Sequence, residues 1–265
     1  MGRFHRHTDG TVHSHDHEHT PDHEHEHRDV GDHRGYVDTG HERVAVLETI
    51  LAENDRTADE NRSDFAAAGV VTVNLMSSPG AGKTTLLKRT ITTLGSRLRL
   101  GVLEGDIATS LDADELSGLG APVALVNTAA GFGGECHLDA TMVRSGLGRL
   151  PLGDLDLLVI ENVGNLVCPA EFRVGEDVRV MVSSVTEGED KPLKYPLMFR
   201  TCDLVLVNKI DLLPHLDYDL DKFLYYLDQV HPDVPRMLVS ARTGEGIDGW
   251  REWLQSAATP EGALA

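Results

Sequence analysis

An α/β fold with a mostly parallel sheet flanked by helices is predicted by three observations on the sequence. Short apolar runs of strand length alternate with segments whose apolar residues recur at helical spacing. Several of these runs end in glycine or in an acidic residue, which is typical of the carboxyl edge of a parallel sheet. The chain has 265 residues, enough for one large α/β core with appendages.

Composition excludes several classes of protein. With 43 acidic and 24 basic residues the formal net charge is -19, so the chain repels phosphate backbones and nucleic acid is not an expected partner. No apolar run approaches the roughly 20 residues of a membrane span, and the first residues lack the apolar core of a secretory signal. Three scattered cysteines are too few for a disulfide framework. We expect a cytoplasmic protein that contacts no membrane.

Residues 1–41 are expected to form a disordered, metal-binding tail. Eleven of the 14 histidines lie there, many alternating with acids, and apolar residues are too few to offset the entropy of ordering. Imidazoles suit divalent transition metals such as Ni²⁺, Zn²⁺, Cu²⁺ and Co²⁺. A solvated polar tail or a purification tag would have a similar composition. The predicted ligands are His13, His15, His17, His19, His23, His25 and His27.

Residues 42–68 predict one or two helices before the first strand, residues 70–76. The strand leads into a phosphate loop that matches the pattern G-x-x-x-x-G-K-[ST] except at its first position, where Ser77 replaces glycine. Lys83 would reach the β- and γ-phosphates of a nucleotide, and the Thr84 hydroxyl would bind Mg²⁺. A glycine-rich turn before a helix is the alternative. The predicted nucleotide contacts are Gly80, Ala81, Gly82, Lys83, Thr84 and Thr85.

Residues 98–104 predict a second buried strand, and Asp106 follows it at the ligand-binding edge, where its carboxylate could reach Mg²⁺. Residues 107–114 would then form a nucleotide-sensing switch. Within it Asp112 is a candidate to orient the attacking water. An acid in the first turn of a helix would explain Asp112 equally well.

Two further strands, residues 123–126 and 155–160, precede loops with functional side chains. The second strand ends in an E-x-x-G motif at residues 161–164, where regulatory GTPases have D-x-x-G. In this interpretation Glu161 contacts Mg²⁺ through water and the Gly164 N–H senses the γ-phosphate.

Cys136 and His137 follow a glycine-rich turn at residues 131–135, and Cys168 lies four residues beyond Gly164. Two thiolates and one imidazole suit a thiophilic divalent metal such as Ni²⁺ or Zn²⁺, with a fourth position open to a partner or water. Free cysteines are also common as small core residues. Both interpretations stand at this point.

Strands at residues 178–185 and 204–207 lead to an N-K-x-D motif at residues 208–211. Asp211 can accept hydrogen bonds from guanine N1–H and N2–H₂, Asn208 would bond the other edge of the ring and hold the loop, and the Lys209 stem would cover its face. The downstream Ser240 and Ala241 would direct a backbone N–H at guanine O6. An acid that caps a helix would explain Asp211 alone, but not the whole motif.

The remaining predictions concern packing. Cys202 is expected in the core, and a last helix over residues 247–254 would pack Trp250 or Trp253 on the sheet. Residues 42–258 would form the nucleotide-binding domain, and residues 259–265 a disordered terminus.

Four segments carry a resemblance to a known family: residues 104–106, 136–140, 161–169 and 191–196. With the nucleotide motifs, they resemble the HypB family, the nickel-incorporation GTPases of [NiFe]-hydrogenase maturation, over about residues 42–254. The resemblance implies a P-loop fold of the signal-recognition and MinD-like class, GTP hydrolysis, and a homodimer when GTP is bound. It implies a Ni²⁺ or Zn²⁺ site at Cys136, His137 and Cys168. The motifs themselves predict catalytic roles for Lys83, Asp106 and Asp112, and Mg²⁺ binding by Thr84, Asp106 and Glu161. The resemblance further implies a nickel chaperone of the HypA type and the hydrogenase large subunit as partners.

The chain departs from the family pattern in one respect, because no cysteine precedes Cys136. The N-terminal cysteine motif of some members is therefore missing, and nickel storage or buffering would rest on the histidines. Two alternatives stay open. One is a nickel or zinc storage protein with a vestigial nucleotide site, and the other is a urease nickel-loading GTPase.

Overall fold

The computed structural model describes residues 39–106, 111–128 and 136–258, together with the strand residues 4–6 and 12–14. It divides into two units, residues 1–43 and 44–265. In the first unit the short strands β1 (Phe4–Arg6) and β2 (Val12–Ser14) pair antiparallel, and His5 lies opposite His13. The other predicted tail ligands lie outside the described residues, as do residues 259–265. The predicted disorder of both termini therefore stays a prediction.

The second unit contains a parallel sheet of seven strands, in the order β5-β4-β6-β3-β7-β8-β9. This arrangement confirms the predicted fold class. The strands are β3 (Val71–Ser77), β4 (Leu100–Asp106), β5 (Val123–Asn127), β6 (Leu157–Glu161), β7 (Val178–Ser184), β8 (Leu204–Asn208) and β9 (Arg236–Leu238).

Nine α-helices lie within the described residues. They are α1 (Thr39–Ala68), α2 (Lys83–Leu94), α3 (Leu111–Ser117), α4 (Ala140–Leu147), α5 (Cys168–Glu171), α6 (Lys191–Lys194), α7 (Pro196–Arg200), α8 (Leu220–Val230) and α9 (Ile247–Ala257). A single helix precedes β3, since α1 continues through the polar interval at residues 53–64. The sequence analysis did not predict β9 or α8.

Both faces of the sheet are buried, as its near-continuous apolar strands require. Alternate residues of a strand point to opposite faces, so Leu157 and Val159 of β6 pack in one cluster with α2 and α9, while Leu158 and Ile160 pack in another with α1 and α4. A third cluster joins α7 and α8 to β7 and β8. The sheet therefore holds its carboxyl edge, and the loops on it, between two layers of helices.

The C-terminal helix packs on the phosphate-loop helix through tryptophan. Trp250 of α9 is fully buried, and its Nε1–H donates to Thr90 Oγ1 of α2 at 2.9 Å. The Trp253 ring stacks on Trp250 with centroids 5.5 Å apart. The prediction that a tryptophan of this helix packs into the core is confirmed, and Trp250 is the buried one.

Candidate functional site

The phosphate loop connects β3 to α2 and has the backbone shape that an anion needs. Gly80 and Gly82 adopt positive φ angles of 74° and 98°, a region that favours glycine. A Cβ atom at Gly82 would lie 2.7 Å from Asn208 Nδ2. The loop therefore requires glycine at position 82 both for its conformation and for close approach to the N-K-x-D motif.

Ser77, the departure from the phosphate-loop pattern, forms hydrogen bonds inside the loop. Lys83 Nζ donates to Ser77 Oγ at 2.8 Å, and this hydroxyl in turn donates to the Ser78 carbonyl at 2.6 Å. Lys83 is buried at the start of α2. The serine thus holds the lysine across the loop, at the place where a nucleotide's phosphates would lie.

Thr84 and Glu161 meet at the mouth of this loop. The Thr84 hydroxyl donates to Glu161 Oε1 at 3.0 Å, and the Glu161 side chain is buried at the end of β6. A hydroxyl and a carboxylate are oxygen ligands of the kind that Mg²⁺ prefers, so these residues fit that ion. Asp106 ends β4 and Asp112 lies in α3, but the surroundings of their side chains lie outside the described part of the structure.

The E-x-x-G motif contacts the phosphate loop through its glycine. A Cβ atom at Gly164 would lie 2.8 Å from the Cα of Pro79. Any larger residue would push the two loops apart. The two loops are therefore in direct contact at this point.

The N-K-x-D motif is linked to both neighbouring loops. Asn208 is buried, its Nδ2 donates to the Ala81 carbonyl at 2.9 Å, and its Oδ1 accepts from the Ala241 N–H at 3.1 Å. The side chain thus joins the phosphate loop to the S-A segment. The Ala241 N–H, expected to face guanine O6, points at Asn208 in this structure.

The other two residues of the motif also have partners on these loops. Lys209, with a positive φ of 64°, extends its Nζ to the Gly80 carbonyl at 2.6 Å. Asp211 Oδ1 accepts from the Ser240 hydroxyl at 2.6 Å. The predicted base-recognition residues therefore form one hydrogen-bonded cluster beside the phosphate loop.

Cys136, His137 and Cys168 come together as a three-residue cluster, here called the ligand trio. Their ligand atoms all lie within 4.8 Å of one another. The two Sγ atoms are 3.0 Å apart, and His137 Nδ1 lies 3.8 Å from Cys136 Sγ. Two soft sulfur atoms and one imidazole nitrogen at this spacing fit Ni²⁺ or Zn²⁺.

The electrostatic setting of Cys168 favours its neutral thiol when no metal is bound. Burial, together with the adjacent Cys136 thiol, raises the pKa of Cys168 to about 11. Cys202 is different, because it lies in the core, donates to the Phe199 carbonyl, and burial raises its pKa to about 12. The predicted core position of Cys202 is confirmed.

Several residues that the sequence analysis did not identify support the site. The ring of Phe172 lies 4.3 Å, centroid to centroid, from the His137 ring. Asn162, inside the E-x-x-G motif, accepts from the Leu138 N–H. Asn54 of α1 bonds to residues next to both ligand segments. The sequence feature that could have identified the asparagines is their position, either on an otherwise apolar helix face or within a motif.

Among the described residues no helix is both long and apolar enough to cross a membrane.

Comparison with known proteins matches most of the chain to one family. Residues 71–237 match the family described as CobW/HypB/UreG, nucleotide-binding domain. The hydrogenase maturation factor HypB of Azotobacter vinelandii is 51% identical over 212 residues, which cover 80% of this chain and 69% of that relative.

Two solved structures are similar in fold as well as in sequence. HypB from Archaeoglobus fulgidus, a hydrogenase maturation factor, matches with a TM-score of 0.72 and 37% identity, over 78% of this chain and 100% of the other. HypB from Helicobacter pylori, crystallised in complex with nickel, matches with a TM-score of 0.73 and 32% identity, over 78% of this chain and 95% of the other.

Proposed function

The chain belongs to the HypB family of hydrogenase maturation factors within the CobW/HypB/UreG group, and we propose that it is a GTP-hydrolysing metallochaperone that binds nickel and delivers it during [NiFe]-hydrogenase maturation. The observation that carries this proposal is that the nucleotide motifs and the ligand trio lie at the same edge of the sheet. The phosphate loop and the N-K-x-D cluster follow β3 and β8, while the ligand trio lies in segments that follow β5 and β6.

The nucleotide site supports GTP rather than another nucleotide. Asp211 is a carboxylate that can accept two N–H donors from guanine, and adenine presents no such pair there. Its hydrogen bond with Ser240 holds Asp211 to the S-A segment, and the hydrogen bond of Asn208 with Ala81 holds the N-K-x-D motif to the phosphate loop. Such preorganisation lowers the cost of ordering the site when the nucleotide binds.

Hydrolysis would rest on charge placed at the β- and γ-phosphates. Lys83 supplies a cation that neutralises charge developing in the transition state. Thr84 and Glu161 and, as the sequence predicts, Asp106 would hold Mg²⁺, which would supply further positive charge for the phosphates when bound. Asp112 would orient the attacking water, and Gly164 would bond to the γ-phosphate.

Nickel is the proposed cargo of the ligand trio, and Zn²⁺ fits the same donors. Three protein ligands leave a fourth coordination position open. An open position lets a partner's ligand enter before the protein's own ligands leave, which is what transfer requires. The proposed partners are a second copy of the chain in the GTP state, a nickel chaperone of the HypA type, and the hydrogenase large subunit.

Coupling between the two sites would make transfer depend on nucleotide. Gly164 touches Pro79 of the phosphate loop, and Cys168 follows four residues later. If GTP and GDP change nickel affinity by some factor, nickel must change the preference for GTP over GDP by the same factor.

The test is to measure GTP turnover and nickel binding on the full chain, its Cys168→Ala variant and its Lys83→Ala variant. We expect the native chain to hydrolyse GTP. Cys168→Ala should lose the thiolate–nickel absorption band and still bind GTP, whereas Lys83→Ala should keep the band and lose GTP hydrolysis. Nickel binding without any GTP hydrolysis would instead identify a storage protein. For delivery, the chain should restore nickel-dependent hydrogenase activity to cells that lack their own family member.

A further inference from the structure

Two buried asparagines of α1 bond to both segments that carry the ligand trio. Asn54 Oδ1 accepts from the Ala140 N–H at 2.9 Å, and its Nδ2 donates to the Arg173 carbonyl at 2.8 Å. Ala140 is three residues beyond His137, and Arg173 is five beyond Cys168. One side chain therefore ties the segment of Cys136 and His137 to the segment of Cys168.

Asn61 repeats this link two turns further along the helix. Its Nδ2 donates to the Ala140 carbonyl at 2.8 Å and to the Val174 carbonyl at 3.1 Å. Its Oδ1 accepts from Arg144 Nη1 at 3.1 Å. All the polar atoms of this fully buried amide thus have partners.

The asparagines belong to the buried face of α1, where positions 54, 58, 61 and 65 recur at helical spacing. The face lies directly against the segment after α5. A Cβ atom at Gly175 would lie 2.7 Å from the Ala58 carbonyl oxygen. The helix and this segment therefore touch through backbone atoms, with no side-chain layer to absorb movement.

The hydrogen bonds of Asn54 belong to a closed ring of contacts that includes the proposed metal ligand His137. Phe172, whose ring packs on the His137 imidazole, is the neighbour of Arg173. His137 is joined through the chain to Ala140, which bonds to Asn54. Asn54 bonds to Arg173, and the neighbouring Phe172 ring packs on the imidazole. The position of the His137 ring relative to the Cys168 segment is therefore fixed from two sides.

Docking of a helix does not by itself call for amides. A leucine at position 54 would bury similar surface, and apolar contacts tolerate sliding because they have no directional preference. Amide hydrogen bonds form only over a narrow range of distance and angle. An amide bonded to two separate segments thus specifies their relative position, which an apolar residue would leave adjustable.

We propose that Asn54, supported by Asn61, is a positioning residue that holds the two halves of the ligand trio at metal-binding distance. This inference rests on the proposed function, since it takes the trio to be the nickel site. Without the link, the two segments can separate in the metal-free protein. Binding nickel would then have to supply the free energy that brings them together again, and the affinity would fall.

The test uses the full chain and the thiolate-to-nickel charge-transfer band. The chain has three cysteines, and one of them, Cys202, is buried in the core. The band therefore reports on the trio even though the histidine tail is present. Ni²⁺ is titrated into the native chain, Asn54→Leu, Asn54→Asp and Leu254→Ala.

Leu254→Ala is the stability control, because Leu254 is buried in the cluster around α2 and α9. We expect Asn54→Leu to weaken Ni²⁺ binding at the trio at least tenfold and to shift the band. Asn54→Asp keeps the acceptor for Ala140 and loses the donor to Arg173, so a smaller loss is expected. Leu254→Ala should lower the melting temperature and leave the band and the affinity unchanged.

Two results would overturn the inference. One is a native Ni²⁺ affinity and band shape in both Asn54 variants. The other is a loss of Ni²⁺ affinity in Leu254→Ala as large as that in Asn54→Leu, when the two variants have the same melting temperature. A native chain with no thiolate band, or with a band that Cys168→Ala leaves unaltered, would remove the proposed nickel site itself. That outcome is distinguishable because it is seen before any Asn54 variant is measured.

Discussion

The Oδ1 atom of Asn162 accepts a hydrogen bond from the backbone N–H of Leu138 at 2.9 Å. Asn162 lies inside the E-x-x-G motif beside the phosphate loop, and Leu138 directly follows the ligand His137. The same oxygen also accepts from the Val163 N–H at 2.9 Å. A buried amide thus links the loop that would sense the γ-phosphate to the chain segment of two proposed metal ligands.

We expect Asn162→Ala to reduce the difference in nickel affinity between the GTP-analogue and GDP states. The variant removes the acceptor shared by the two segments, and the unpaired Leu138 N–H should cost about 1–3 kcal/mol of stability. Leu254→Ala is the contrast, since Leu254 is buried in the cluster around α2 and α9 and lies in neither of the two linked segments. Nickel titrations in both nucleotide states measure the ratio. An undiminished ratio in Asn162→Ala would rule out this route.

Lys83→Ala should abolish GTP hydrolysis, because it removes the cation that faces the β- and γ-phosphates. Lys88→Ala is the matched control, since Lys88 lies on the same helix and pairs with Glu115. Phosphate release under saturating GTP is the measurement. Turnover that survives in Lys83→Ala would show that the loop does not act as assigned.

Asp211→Asn should weaken GTP binding and admit xanthosine triphosphate. The new amide can donate to the O2 atom of xanthine, whereas it loses the acceptor that guanine needs. Asp217→Asn, at an exposed position, controls for the change of charge. Competition binding of GTP, ATP and xanthosine triphosphate gives the order of preference. Equal competition by ATP and GTP on the native chain would contradict guanine recognition.

Nickel affinity at the trio should rise with pH. The pKa of Cys168 is raised to about 11, so its thiol is neutral at pH 7. A metal ion must therefore displace the thiol proton, and its affinity should rise roughly tenfold per pH unit for each proton displaced. The metal-free fold should lose stability from about pH 9 towards about pH 11, since the unfolded thiol ionises first. Charge-transfer titrations across pH, with Cys168→Ser as control, test both signs. A pH-independent affinity would mean that no thiol proton is displaced.

Deleting residues 1–41 should remove most of the bound nickel and leave GTP hydrolysis intact, because this segment carries 11 of the histidines. Acidification through the imidazole range should release the same metal from the full chain. Metal analysis of both chains after equilibration with Ni²⁺ is the measurement. A shortened chain that keeps the full nickel load would show that the tail binds none.

The nucleotide motifs could be predicted from sequence because their chemistry fixes residue types at short spacing. The phosphate loop and N-K-x-D motif each need a few neighbouring residues after a strand, and the structure places them together as expected. Asn54 could not be found this way, since its partners lie 86 and 119 residues away in the chain. Only the folded sheet brings those segments to one helix.

The structure explains two points that the sequence left undecided or missed. The sequence allowed one or two helices before β3 because of the polar interval at residues 53–64, but Asn54 and Asn61 in that interval occupy buried positions where a helix would ordinarily have apolar residues. Strand β9 has three residues and lies at the sheet edge, with Leu238 40% exposed. Such a short, half-exposed segment has no alternation pattern long enough to recognise.

The contact between Trp250 and Thr90 gives the chain a built-in optical probe. Both tryptophans lie on α9, and one of them is bonded to the helix that begins at Lys83. Intrinsic fluorescence therefore reports on the phosphate-loop helix, while thiolate absorption reports on the ligand trio. The two signals fall at different wavelengths and come from different elements, so we expect that the phosphate-loop helix and the metal site can be followed separately in one unlabelled sample.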